Sequence, residues 1–445
     1  MQRTPPHRAH RQASMKKGFH SIMSAQFCSS LADNALLVAA YEMLKRDNAP
    51  SWQLAALVPM FALFYVVLAP FVGAFADRLP KGRVMFIANG IKLAGCLLML
   101  GGLHPLLAYA VVGLGAATYS PAKYGILTEM LPPSLLVKAN GWIEGLTIGS
   151  IIMGVLLGGQ LISPRVSEVL LRFDFPFFDT PVETAPQAAI ASLMALYLVA
   201  AGFNLRIPKT GVEMQPMPAS MTAMAADFWS CNVRLWKDKL GQISLAATTL
   251  FWGVSGSMRV LVLAWAAMAL GFNTTQASGL QGVVAVGTAA GAIVASMYLR
   301  LDHAVKMIPM GIGMGLMLLF LLMVNTLWVA IPFLILLGAL GGFLVVPMNA
   351  LLQHRGHELM GAGRSIAVQN FNEQACILLL GLFYSVMMGS GRASDQNEAT
   401  QHVVVVFGLM VAGVMCLIGL WHLWNRRRHG ALIEQLMARA RCETH

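Results

Sequence analysis

Long apolar runs separated by short polar breaks recur along this chain. They fall at about residues 18–44, 52–76, 84–103, 105–129, 136–162, 186–205, 241–270, 276–300, 304–325, 327–352, 361–390 and 400–424. A helix needs about 20 apolar residues to cross the hydrocarbon core of a bilayer, so the pattern predicts an all-α integral membrane protein with about twelve transmembrane helices. The longest break, residues 206–240, divides the runs six and six. It predicts a six-helix half over 18–205, a linker over 206–240 and a second half over 241–424, flanked by a disordered basic tail at 1–17 and a tail at 425–445. The second-longest break, about 163–185, carries Phe173, Phe175, Phe177 and Phe178 interleaved with acids and proline, a pattern suited to the membrane surface.

Composition supports lipid as the main solvent. Hydrophobic residues make up 57% of the 445 and charged residues 11%, with a mean hydropathy of +0.65. The net charge of +11 resembles that of a nucleic-acid binder, but its cations cluster between apolar runs. With both termini cytoplasmic, about 23 Lys and Arg fall inside, five outside and three within spans, so the bias predicts that orientation. The six cysteines have no CxxC spacing, so no disulfide framework, metal site or cofactor is expected.

The three cations within spans are Lys92, Lys123 and Arg259, and each charge costs about 2.5–3.5 kcal/mol at mid-span. Asp33 and Arg259 fall near mid-depth of the first and seventh runs. Arg259 is a candidate phosphate clamp, because a guanidinium binds two phosphate oxygens at once. Asp33, followed by Asn34, is a candidate partner for an ammonium group or for Arg259 itself. Asn89 and Lys92, one turn apart, can address the same space. Lys123 and Glu144 lie in the cytoplasmic thirds of the fourth and fifth runs, with Asn349, Gln369, Asn370 and Glu373 in corresponding places of the second half. This set suggests an inner gate or headgroup exit.

The halves echo each other. Aligning Pro121 with Pro347 brings Gly115 onto Gly341 and Lys123 onto Asn349, while Asn140 with Glu144 parallels Asn370 with Glu373. Between the second and third runs, Gly73 precedes Asp77-Arg78 by four residues and Gly82-Arg83 follows. This pattern resembles the signature of the major facilitator superfamily. Gly73 would allow close helix approach, and Asp77 with the cations would pair with a neighbouring helix end and release it during rocking.

The runs QFCSSLADNALL (26–37), KGRVMFIANGIKL (81–93), YSPAKYGIL (119–127), VKANGWIEG (137–145), FWGVSGSMRVLVLAW (251–265), VVPMNALLQ (345–353) and IAVQNFNEQ (366–374) resemble the bacterial lysophospholipid transporter family over about residues 20–425. The resemblance implies the major facilitator fold and import of lysophosphatidylethanolamine and lysophosphatidylglycerol across the inner membrane through a laterally open amphipathic cavity. It also implies reacylation by an acyltransferase/acyl-carrier-protein synthetase. A proton-coupled exporter of hydrophobic compounds would use the same fold, with Asp33 or Glu144 carrying the proton. An enzyme is not expected: the chain has no His-x4-Asp pair and no Gly-rich phosphate loop ending in Lys-Ser or Lys-Thr.

Overall fold

The computed structural model describes residues 6–49, 51–172, 182–214, 216, 220–272, 274–389 and 396–442. Among them, every regular element is helical, as lipid requires of an open chain that must satisfy its own backbone groups. The helices are α1 (Pro6–Arg46), α2 (Ser51–Val67), α3 (Ala69–Arg78), α4 (Lys81–Leu100), α5 (Pro105–Met130), α6 (Pro133–Ile162), α7 (Pro164–Leu171) and α8 (Ala185–Leu205). They continue as α9 (Met221–Lys237), α10 (Gly241–Leu270), α11 (Thr274–Tyr298), α12 (Ile308–Phe320), α13 (Leu327–Met360), α14 (Ala362–Gly389) and α15 (Gln396–Cys442). Nine helices among the described residues are long and apolar enough to span a bilayer, and two bent pairs raise the number to eleven. Helix α5 falls outside that count because Tyr109, Thr118, Tyr119, Ser120 and Lys123 dilute its apolar character, and all five are buried.

Several boundaries differ from the sequence pattern for local reasons. The second run breaks at Leu68, and the axes of Met60–Val67 and Ala69–Arg78 diverge by 71°. Pro70 lies in the first turn of α3 and has no N–H to continue a ladder. Pro309 occupies the same place at the start of α12, where a 3-10 stretch, Leu301–Met307, precedes the regular helix. Helix α1 extends back to Pro6, so the expected disordered tail is helical over its described part. Helix α15 likewise runs past 424, with non-helical backbone at His429 (φ −130°, ψ 30°). The linker contains α9, which buries Met224, Phe228, Cys231, Asn232 and Leu235 along one face. Phe173, Phe175, Phe177 and Phe178 lie outside the described residues.

The chain forms two compact units. The first comprises Met1–Met130, Gly149–Trp229 and Gly361–Ala367. Within it α1 packs on α8, and α4 lies against α5 and α8. Ala32, Ala35, Leu36, Ala39 and Ala40 of α1 meet Ile190, Leu193, Met194 and Tyr197 of α8 in one apolar core. The start of α8 has a full capping box: the Thr184 side chain accepts from the Gln187 N–H, and Gln187 Oε1 accepts the Thr184 N–H at 3.0 Å.

The second unit comprises Leu131–Ile148, Ser230–Met360 and Val368–His445. Its closest pair is α11 with α13. Gly287, Gly291, Gly338 and Gly342 each face backbone of the partner helix, at Ile335, Ala339, Val284 and Thr288 respectively, so that any side chain there would enter the opposite main chain. Such approach maximises dispersion contact where lipid supplies no hydrophobic driving force.

Candidate functional site

In the first unit, polar side chains from four helices converge inside the apolar core. The Lys92 ammonium on α4 donates to Asp33 Oδ2 on α1 at 2.6 Å and to Ser29 Oγ at 2.9 Å. The Tyr197 hydroxyl on α8 donates to the other carboxylate oxygen, Oδ1, at 2.8 Å. The Ser29 hydroxyl donates to Asn89 Oδ1 at 2.8 Å, one turn before Lys92. The Lys92 Nζ also lies 5.1 Å from the Tyr119 ring centroid and 5.7 Å from that of Tyr197, within cation–π range. Lys92 is only 1% exposed. A Cβ on Gly115 of α5 would come within 2.7 Å of the Ala88 carbonyl oxygen and 2.6 Å of Lys92 Cγ, so this glycine makes room for the Lys92 stem. Two buried donors in this cluster, Asn89 Nδ2 and the Tyr119 hydroxyl, have no hydrogen-bond partner among the described residues.

Within the first unit, Lys92 and Tyr197 each donate to one Asp33 oxygen. The backbone of Arg259 lies in α10, and its side chain is outside the described residues. Asn34 turns back on its own helix, donating to the Ser30 carbonyl at 2.8 Å. Lys123 is buried on α5 with its ammonium 4.1 Å from the Tyr124 ring centroid.

In the second unit, the first half of α6 contributes Asn140 and Glu144 to a chain of amides and carboxylates. Asn140 and Gln353 exchange two hydrogen bonds of 2.9 Å. One turn away, Asn349 Nδ2 donates to Glu144 Oε1 at 3.5 Å, while Gln369 Nε2 donates to Asn349 Oδ1 at 3.0 Å and to Glu373 Oε1 at 2.7 Å. Four of the predicted residues therefore meet here, and all four are buried: Glu144, Asn349, Gln369 and Glu373. Asn370 lies beside them on α14 and is half-buried.

A third polar cluster, in the first unit, surrounds the motif between α3 and α4. Asp77 accepts the N–H groups of Gly363 at 2.7 Å and Arg364 at 2.9 Å, which are the exposed donors of the first turn of α14. An acidic side chain at a helix start gains both the hydrogen bonds and the dipole. Lys81 donates to Asp77 at 2.7 Å and lies 3.4 Å from Glu129, which also accepts from Thr210 at 2.7 Å. The Arg364 guanidinium reaches Asp77 at 3.5 Å and Asp227 of α9 at 2.7 Å. Gly73 faces Ala367, where its missing side chain leaves room. Gly82 faces the Asn204 carbonyl and Ile207 in the same way. Arg78 and Arg83, singled out by the signature, are exposed, and the engaged cation is Lys81.

Sequence reasoning missed Ser29, Tyr119, Tyr197, Lys81, Gln353 and Arg364 as site residues. The alternation of Ser29 with Asp33 at one helical turn was a usable signal, whereas Tyr197 stands alone in an apolar run and gives none.

Comparison with known proteins bears on the family and the fold. The sequence model of the Major Facilitator Superfamily matches residues 22–378. The lysophospholipid transporter LplT of Yersinia enterocolitica serotype O:8 is 39% identical over 375 residues, 84% of this chain and 88% of that protein. LplT of Enterobacter sp. strain 638 is 38% identical over 422 residues, 94% of this chain and 99% of the relative. Among solved structures, the human organic anion transporter TETRAN shares the fold with a TM-score of 0.70 at 13% identity, over 94% of this chain and 100% of that one. A bacterial homologue of the iron transporter ferroportin in an outward-facing state gives 0.66 at 16% identity, over 91% and 98%. The chain is a multi-pass membrane protein that belongs to the lysophospholipid transporter family of the major facilitator superfamily.

Proposed function

We propose that this chain moves lysophospholipids, typified by lysophosphatidylethanolamine and lysophosphatidylglycerol, from the outer to the inner leaflet of the bacterial inner membrane by alternating access. The observation that carries this reading is the 38–39% identity to LplT proteins over 84–94% of the chain. The first-unit cluster supports it. A headgroup phosphate needs donors in an otherwise apolar setting, and Asn89 Nδ2 and the Tyr119 hydroxyl are buried donors without partners among the described residues. Each such group costs about 1–3 kcal/mol while unpaired, which a phosphate oxygen would offset. Asp33 and Lys92 neutralise each other, so a zwitterionic headgroup can exchange partners with them without changing the buried net charge. Arg259 remains the proposed phosphate clamp.

Both termini and residues 206–240 face the cytoplasm in this proposal, on the grounds of the charge bias. The Asp77 contact with the start of α14 serves as a latch that opens during rocking. Lysolipid delivered inward is reacylated by an acyltransferase/acyl-carrier-protein synthetase, which is a functional rather than a structural partner here. Uptake of labelled lysophosphatidylethanolamine by spheroplasts with and without the protein tests the reading, with an ionophore in parallel. Protein-dependent uptake supports it, whereas loss of cell-associated label driven by the proton gradient would replace it with an exporter of hydrophobic compounds. Arg259→Ala, if well inserted, should abolish uptake of both lipids.

A further inference from the structure

The last span ends in a surface feature that transport does not use. Along α15, Leu417, Leu420, Trp421 and Trp424 are exposed, and with Arg428 they recur at the spacing of a single helix face. The opposite face is held in protein: Met415, Ile418 and Asn425 are buried, and a Cβ on Gly419 would lie 3.4 Å from Ile308 of α12. The exposed stripe therefore faces lipid. From Thr400, where the apolar span begins, to Trp424, the helix rises about 36 Å at about 1.5 Å per residue, which carries both indoles into the interfacial zone where Trp gathers.

Immediately beyond stand Arg426, Arg427 and Arg428, all exposed. The Arg428 guanidinium stacks on Trp424, its Cζ 4.4 Å from the ring centroid, which holds the group in place while its N–H donors stay available. No Asp or Glu occurs in the chain between Glu398 and Glu434. The non-helical backbone at His429 ends the straight helix just after the triplet, and the buried Ile433 fastens the next turn to protein. Arg428 is thus held at headgroup depth beside an apolar stripe, with Arg426 and Arg427 next to it.

We propose that Trp424, Arg427 and Arg428 form a binding site for the phosphate of an anionic diacyl phospholipid such as phosphatidylglycerol, with its acyl chains along Leu417 and Leu420. The site lies on the lipid-facing surface and is separate from the buried clusters of the transport reading, on which it does not depend. Guanidinium takes phosphate oxygens two at a time, and the indole fills the boundary between chain and headgroup.

Native mass spectrometry of the purified full-length protein, titrated with phosphatidylglycerol and with phosphatidylcholine, tests this. Wild-type protein should prefer phosphatidylglycerol. Each interfacial arginine accounts for about a fivefold preference, so R427Q/R428Q should lower it about twenty-fivefold. The single variant R428Q should lower it about fivefold, which keeps the test decisive if the double variant does not elute as a folded species. Inorganic phosphate should not displace the lipid. Equal binding of the two lipids by wild-type protein, or an undiminished preference in the arginine variants, would overturn the proposal. Displacement by inorganic phosphate would also overturn it, by showing a simple anion site, and retention of an acidic protein at the triplet with no lipid preference would make the patch a protein-docking surface instead.

Discussion

Replacing Lys92 by methionine keeps most of the volume of a buried stem and removes the charge that holds Asp33. In the folded protein Lys92 gives Asp33 a contact of 2.6 Å and Ser29 one of 2.9 Å, while the Tyr197 hydroxyl donates to the other Asp33 oxygen at 2.8 Å. The variant therefore leaves the part-buried Asp33 carboxylate without its facing ammonium, held by the Tyr197 hydroxyl. Breaking one side of such a pair costs about 3–5 kcal/mol. At about 2–4 °C per kcal/mol for a domain of this size, the midpoint of thermal unfolding in detergent should fall on the order of 10 °C. Asp33→Asn strands the ammonium instead and should have a comparable effect. The double variant Asp33→Asn/Lys92→Met removes both charges, so the loss should be smaller than for either single variant. Fluorescence-detected size exclusion after heating reads these values directly. Additive losses in the double variant, or a Lys92→Met midpoint equal to that of wild type, would refute the coupling.

Asp77→Asn should weaken the cap on α14 by about 1 kcal/mol, shifting the balance toward the opened contact about fivefold. A cysteine replacing the buried Ala362 should then react correspondingly faster, and an unchanged rate would count against the latch. Gly291→Leu should prevent stable insertion of the second unit because its side chain would enter the main chain at Ala339, and wild-type yield and monodispersity would contradict that packing. For topology, an impermeant maleimide added outside should label Glu168→Cys but not Thr222→Cys, both at exposed positions; the reverse would invert the orientation.

The parts that were legible in the sequence are those carried by composition and spacing. Twelve apolar runs implied the helices, and the isolated Asp33, Asn89 and Lys92 stood out because charge and amides inside such runs are costly. Partner choice was not legible. Depth along a helix can be read from a sequence, but azimuth across helices depends on packing, so nothing in the sequence pointed to Lys92 on α4 as a partner of Asp33. The signature likewise drew attention to Arg78 and Arg83, yet helical phase leaves both exposed and turns Lys81 inward to Asp77. Local breaks were readable in retrospect: Pro70 ends α2, and Thr184 with Gln187 marks the start of α8. The glycines joining α11 and α13 were visible only as composition, since their meaning lies in which backbone they meet.

The central claim is that this chain carries a single-chain phospholipid from one leaflet to the other. Its most direct test uses purified protein in sealed liposomes whose outer leaflet holds fluorescent lysophosphatidylethanolamine, with extraction by albumin at intervals. The extractable fraction should fall with time only when the protein is present, and well-folded Arg259→Ala protein should abolish this fall. An extractable fraction that stays the same with and without protein, while the protein remains folded, would contradict it.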